Sequence, residues 1–207
     1  MGMSYLHNTT WERITREERF FCARLFELTR HAPGDFANWL SSRGDLGLPQ
    51  TGEWDIGFEV ALYRDLLWHR GRSAAGEGFS RKRTFDLCLF HEACVVIIEA
   101  KGAETFDHNQ NTTFDDDRAQ IPRLLGSGIQ VILVGLASSR YLESVRRFGR
   151  RGALDVFDAL ITWRDVASHL NDAALESADS LYNAKPLHPI PLQARELEGE
   201  SLYPKEN

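Results

Sequence analysis

Cysteine is scarce in this chain. Cys22, Cys88 and Cys94 are the only three in 207 residues, and they form neither a paired spacing nor a Cys-x-x-Cys, which excludes a disulfide scaffold and a zinc finger or ribbon. Free thiols in a reducing compartment are expected. Positive charge is short as well: 24 Lys and Arg against 30 Asp and Glu leave a net charge of -6, so coating nucleic acid by bulk charge is excluded and any such contact must come from local patches. No apolar run approaches membrane-spanning length, and the N-terminus is polar and aromatic rather than a charged region followed by an apolar one, so a soluble, cytoplasmic protein with no membrane partner is expected. Repeats and low-complexity tracts are missing too.

Apolar content is plentiful. At 43% hydrophobic residues the chain can bury one sizeable core, and a single domain over 1–184 with an extended tail over 185–207 is the expected division. The tail carries four prolines and many charges, which suits an extended arm.

The most informative stretch is 83–101. Two apolar runs of strand length, Phe85 to Phe90 and Val95 to Ala100, flank a short polar break, which predicts a β-hairpin. With the turn centred between Glu92 and Ala93, Phe90 faces Val95, Cys88 faces Ile97 and Asp86 faces Glu99. Alternation then puts Lys101 on the face of Glu99, so three charges converge at one end of the hairpin. Phe85, Leu87 and Leu89 are expected on the opposite face with Val96, Ile98 and Ala100. Both faces are otherwise apolar, as in a sheet covered on both sides.

Two opposed carboxylates repel, and burial adds a desolvation cost. A divalent cation removes that conflict, because a hard ion such as Mg2+ takes one or two carboxylates together with water and phosphate oxygens. Lys101 adds a positive group for a phosphate or an attacking water. The plainer alternative is a solvent-exposed sheet end neutralised by Lys101 and nearby arginines.

An Asp near the start of one strand, followed by Glu-x-Lys at the end of the next, resembles the PD-(D/E)XK nuclease superfamily. The resemblance covers the core from about 54 to 137, with Phe85 standing where a Pro is often found. It implies a restriction-endonuclease-like α/β fold, a mixed central sheet flanked by helices with an extra N-terminal helical segment at about 15–42. It also implies a nuclease cutting phosphodiester bonds, with DNA as the expected partner and a homodimer allowed. Carried over by position, Asp86, Glu99 and Lys101 are the catalytic residues. Asp86, Glu99 and the Ala100 carbonyl would hold Mg2+, for which Mn2+ can substitute. The first helix of that fold often offers a further acidic group, for which Glu59 is the candidate and Glu18 the rival. Gln120, on the helix after Glu-x-Lys, and Arg81, Lys82 and Arg83, before the hairpin, are candidate substrate contacts. A nuclease fold used only for nucleic-acid binding or protein interaction is the alternative.

Around this core, Thr15-Arg-Glu-Glu18 has the capping-box pattern and predicts a helix to about Arg30. A short helix from Asp35 to about Ser42 follows. Residues 54–69 fit both periods and read as a helix on length and composition. Arg70 to Phe79 reads as a loop with a short strand near its end, and Gly102 to Thr113 as an extended loop in which His108 is a candidate base or phosphate contact. Asp115 to Asp117 suit the first turn of a helix, and Pro122 predicts a kink or a later start. Ile129 to Ala137 is a buried strand. Ser138 or Ser139 caps a helix to about Arg150, Asp158 to Trp163 is a strand, and Asp165 caps a helix to Leu170. One more helix fits within Asp172 to Asn183. Two basic patches, Arg64 to Arg83 and Arg140 to Arg151, read either as solvated faces or as phosphate contacts.

Overall fold

The computed structural model describes residues 10–148 and 152–184; the tail over 185–207 and Arg150 and Arg151 of the second basic patch lie outside them. The elements run α1 (Trp11–Ile14), α2 (Glu18–Thr29), α3 (Pro33–Gly44), β1 (Asp55–Val60), α4 (Leu62–His69), β2 (Phe85–His91), β3 (Cys94–Ala100), α5 (Asn111–Leu125), β4 (Gln130–Ala137), α6 (Ser139–Phe148), β5 (Ala159–Thr162), α7 (Trp163–Leu170) and α8 (Ala173–Ser180), with short 3-10 turns at His108–Gln110 and Leu181–Ala184. The five strands form one sheet in the order β1-β2-β3-β4-β5. The first three are antiparallel and the last three parallel, so the sheet is mixed, as expected. Among the described residues no helix is long and apolar enough to cross a membrane.

β3 is buried at every position, as a central strand covered on both faces must be. On one face Leu87, Leu89, Val96, Ile98, Ile132 and Val134 pack with Phe21 and Leu25 of α2, Phe36 and Leu40 of α3, Trp163 of α7 and Leu175 of α8. On the other, Cys88, Val95, Ile97 and Leu133 pack with Tyr63 and Leu67 of α4 and with Phe114 and Ile121 of α5. Two helical layers thus enclose the sheet.

Three carboxylates away from the hairpin end, the buried Asp117 and Asp179 and the exposed Asp158, are well supplied with donors. Asp179 of α8 accepts from the Ser139 N–H at 2.7 Å and hydroxyl at 2.6 Å and pairs with Arg164. Asp158 accepts from the Leu133 N–H at 2.7 Å and from Arg118 at 2.9 Å. Asp117 accepts from the Tyr63 hydroxyl at 2.7 Å and from Arg83 at 2.8 Å.

Several expectations are corrected. Residues 54–69 are not one helix: Asp55–Val60 is an edge strand paired with β2, and only Leu62–His69 is helical. Pairing with β2 satisfies the backbone there, and the period-two residues Ile56 and Phe58 pack against α2 and α3. The Thr15 capping box does not form. The chain is extended at Glu17, α2 begins at Glu18, and the Thr15 hydroxyl accepts from the Glu17 N–H at 3.3 Å. α5 starts at Asn111, ahead of the acidic cluster, so Asp115 to Asp117 are not its first turn. Pro122 sits near the end of that helix, where its missing N–H interrupts only one hydrogen bond. No strand forms over 70–79, which is turns. Thr162, not Asp165, caps α7, with Asp165 returning the second bond of a capping box.

Candidate functional site

The hairpin register is the expected one through most of its length: His91 opposes Cys94, Phe90 opposes Val95 and Cys88 opposes Ile97. Pairing stops at Leu87 and Ile98, one step short of Asp86 and Glu99. Beyond it the Ala100 N–H donates to Asp86 Oδ2 at 2.8 Å, so a carboxylate takes the place of a strand carbonyl. The same continuation on β1 places Glu59 at the position opposite Asp86, between the pairs Phe58–Leu87 and Val60–Phe85.

Glu59 has φ of 52°, a left-handed conformation unusual outside glycine. It reverses the alternation of the edge strand: Phe58 packs with the α2 layer, whereas Val60 packs with the α4 layer. Phe85, paired with Val60, also turns into the α4 layer rather than joining Leu87 and Leu89, contrary to the expectation from simple alternation. The end of the sheet is therefore twisted open where the charges gather.

Glu99 and Lys101 are buried, and Lys101 Nζ donates to Glu99 Oε1 at 2.8 Å. The Lys101 backbone is held from two sides, its N–H donating to the Leu136 carbonyl at 2.8 Å and its carbonyl accepting from Trp163 Nε1 at 2.9 Å. Glu18, at the start of α2, completes the cluster. Its Oε2 accepts from the Gly102 N–H at 3.3 Å and its Oε1 lies 3.9 Å from Lys101 Nζ. Glu59 instead pairs with Arg19 at 3.2 Å.

The electrostatics follow from burial and crowding. Burial pushes the Asp86 carboxyl up to about 7, with the Glu99 charge adding to it, while the Ala100 N–H and Lys101 oppose the rise. Glu18 is also raised, first by burial, against the pull of Lys101 and the Gly102 N–H. Burial favours the neutral form of Lys101, but attraction and hydrogen bonding to Glu99, with Glu18 and Asp86 behind it, outweigh that and hold the amine above its ordinary value. It is a cation at neutral pH.

This donor set suits a hard cation. Asp86 and Glu99 each accept one hydrogen bond from the protein, leaving Asp86 Oδ1 and Glu99 Oε2 without a hydrogen bond among the described residues. Among the described residues there is no group of three or more His, Cys, Asp and Glu side chains placed to hold a metal ion. An ion here would rest on two carboxylates, the Ala100 carbonyl and water, the sparse coordination Mg2+ accepts.

The other candidates separate. Arg83 lies over the rings of Phe85 and Phe114 at 4.8 Å from each and bonds Asp117, so it braces the α4 layer rather than facing substrate. Arg81 and Lys82 are exposed. Gln120 is half-buried toward the later part of α5 and makes no hydrogen bond with the cluster. His108 is exposed, with its Nδ1 3.2 Å from the Gly152 carbonyl, which also accepts from Asn111 at 2.9 Å; it staples two loops. Asp117, expected in the acidic first turn of a helix, is buried further along α5, and its spacing from Phe114, Ile121 and Leu124 is the signal that would have placed it on the inner face. The three cysteines are free and buried.

Compared with models of protein families, with curated proteins and with solved structures, the chain matches none.

Proposed function

We propose that the chain is a divalent-cation-dependent nuclease that hydrolyses phosphodiester bonds, with DNA as substrate, at the open end of the β2–β3 hairpin. One observation carries this reading: Asp86 and Glu99 are crowded together with a single donor each, whereas Asp117, Asp158 and Asp179 have several. The resemblance to PD-(D/E)XK nucleases points the same way. A fold used only for binding or protein interaction gives the crowded pair no use.

Mg2+, or Mn2+ in its place, would supply charge stabilisation at the phosphate and a lowered pKa for the attacking water. Asp86, Glu99 and the Ala100 carbonyl are the residues to hold it. Lys101, kept protonated by Glu99, donates to a phosphate oxygen or orients the water for in-line attack at phosphorus. The bond from phosphorus to the departing oxygen breaks, that oxygen takes up a proton, and a phosphate monoester end is left. Trp163 and Leu136 fix the Lys101 backbone, so little reorganisation is needed during the reaction.

The test is cleavage of plasmid and single-stranded DNA in Mg2+ or Mn2+, with a chelator control, by the wild type, Asp86→Asn and Lys101→Met. The wild type should cut, and each variant, shown folded by circular dichroism, should lose roughly a hundredfold or more. Cutting by both variants at the wild-type rate would sink the proposal.

A further inference from the structure

The groove between α4 and the turns that follow it is not part of the acidic cluster. It encloses about 860 Å³ and is lined by Arg64, Asp65, Trp68, Arg72 and Arg81 among others. Trp68 is 82% exposed, whereas Leu62, Tyr63 and Leu67 turn the opposite side of α4 into the core. A tryptophan on a helix that has already buried its apolar face contributes nothing to folding in that position. Its indole is a free π-surface at the wall of a groove.

Three arginines line that groove against one aspartate. Arg81 makes no ion pair among the described residues. Arg64 is bound to Asp65 at 2.7 Å and Arg72 to Glu77 at 2.5 Å, both at exposed positions, where such pairs are weak and a phosphate can compete for the guanidinium. The chemistry assembled is a flat aromatic face beside cations, the combination that holds unpaired nucleotides by base stacking and phosphate contact. A duplex offers its phosphates but keeps its base faces stacked inside, so the indole selects a single strand.

The groove also lies close to the cluster along the chain. α4 begins two residues after Val60, whose partner Phe85 adjoins Asp86. Arg81 precedes Asp86 by five residues, so the two Cα atoms are at most about 18 Å apart, a span that roughly five stacked nucleotides cover.

We infer that this groove is the binding track for a single-stranded nucleic-acid segment, in which Trp68 stacks on a base and Arg81, with Arg64 and Arg72, contacts the phosphates. The track rests on the nuclease reading for its role of feeding the strand toward Asp86 and Glu99. Its binding chemistry is independent of that reading.

Binding is measured by fluorescence anisotropy with a labelled mixed-sequence 20-nucleotide single strand in a chelating buffer, which excludes cleavage. The wild type should bind the single strand more tightly than the matching duplex, with affinity falling as salt rises. Trp68→Ala should weaken single-strand binding roughly tenfold or more, Trp68→Phe should restore most of it, and Arg81→Ala should weaken it and flatten the salt dependence. Asp86→Asn should bind at least as well as the wild type, since it removes only a negative charge near the track. No binding by the wild type, unchanged affinity in Trp68→Ala and Arg81→Ala, or a self-associated form lost in Trp68→Ala while DNA affinity stays intact each overturn the inference. Cutting by Asp86→Asn at the wild-type rate would end the nuclease reading and leave the track standing.

Discussion

Replacing Asp86 by asparagine keeps an acceptor for the Ala100 N–H and removes a charge that the fold tolerates badly. The Asp86 carboxyl rises from 3.8 to about 7, mainly through burial and then through Glu99. Between those two values the native state binds a proton that the unfolded state has released, so native stability falls as pH rises through the window from about 4 to 7 and stays low above it. Three units correspond to a ceiling of about 4 kcal/mol at 1.36 kcal/mol each. Relaxation around an ionised Asp86 reduces this, so Asp86→Asn should be more stable than the wild type by about 2–4 kcal/mol at pH 8 and by only about 1 kcal/mol at pH 5. For a chain of this size that is a rise in Tm of roughly 5–12 °C. Urea unfolding of both proteins at the two pH values measures it. Saturating Mg2+ should raise the wild-type midpoint at pH 8 and leave the variant unmoved. A variant less stable than the wild type at pH 8, or equally shifted at both pH values, would refute the claim that Asp86 is an electrostatic burden awaiting a cation.

The acidic cluster also ranks its outer members. Glu18 touches the Gly102 N–H and approaches Lys101, whereas Glu59 is engaged by Arg19. Glu18→Gln should therefore lower Mn2+ affinity in calorimetry by about tenfold, while Glu59→Gln changes it little; the reverse order would exchange their roles. Away from the site, Asp117→Asn leaves the half-buried Arg83 guanidinium without its counter-charge and should cost about 3 kcal/mol in urea unfolding, and a loss under 1 kcal/mol would show that Arg83 finds water instead.

Much of the site was legible because a hairpin with a two-residue break admits few registers, and the apolar runs on either side of Glu92 and Ala93 fixed one of them. That register put Phe90 against Val95 and Cys88 against Ile97, as the structure does. The opening of the strands beyond Leu87 was not legible, since it depends on the left-handed turn at Glu59 and on a side-chain acceptor for the Ala100 N–H. The edge strand β1 was misread because Ile56 and Val60 fit a helical period as well as a strand one. Only the partner strand decides between them, and pairing between 55–60 and 85–90 is non-local. Glu18 could be named but not ranked, because nothing local in α2 tells which carboxylate will reach Lys101. Trp68 was hidden for the same reason, since its exposure depends on where α4 lands.

Diffraction from crystals soaked in Mn2+, collected at a wavelength where the ion scatters anomalously, tests the central claim most directly. The account predicts a peak between the Asp86 and Glu99 carboxylates, within about 2.0–2.2 Å of oxygens from both side chains and near the Ala100 carbonyl, and its loss in Asp86→Asn. No peak there at saturating Mn2+, with the Lys101 ammonium still alone against Glu99, would contradict it.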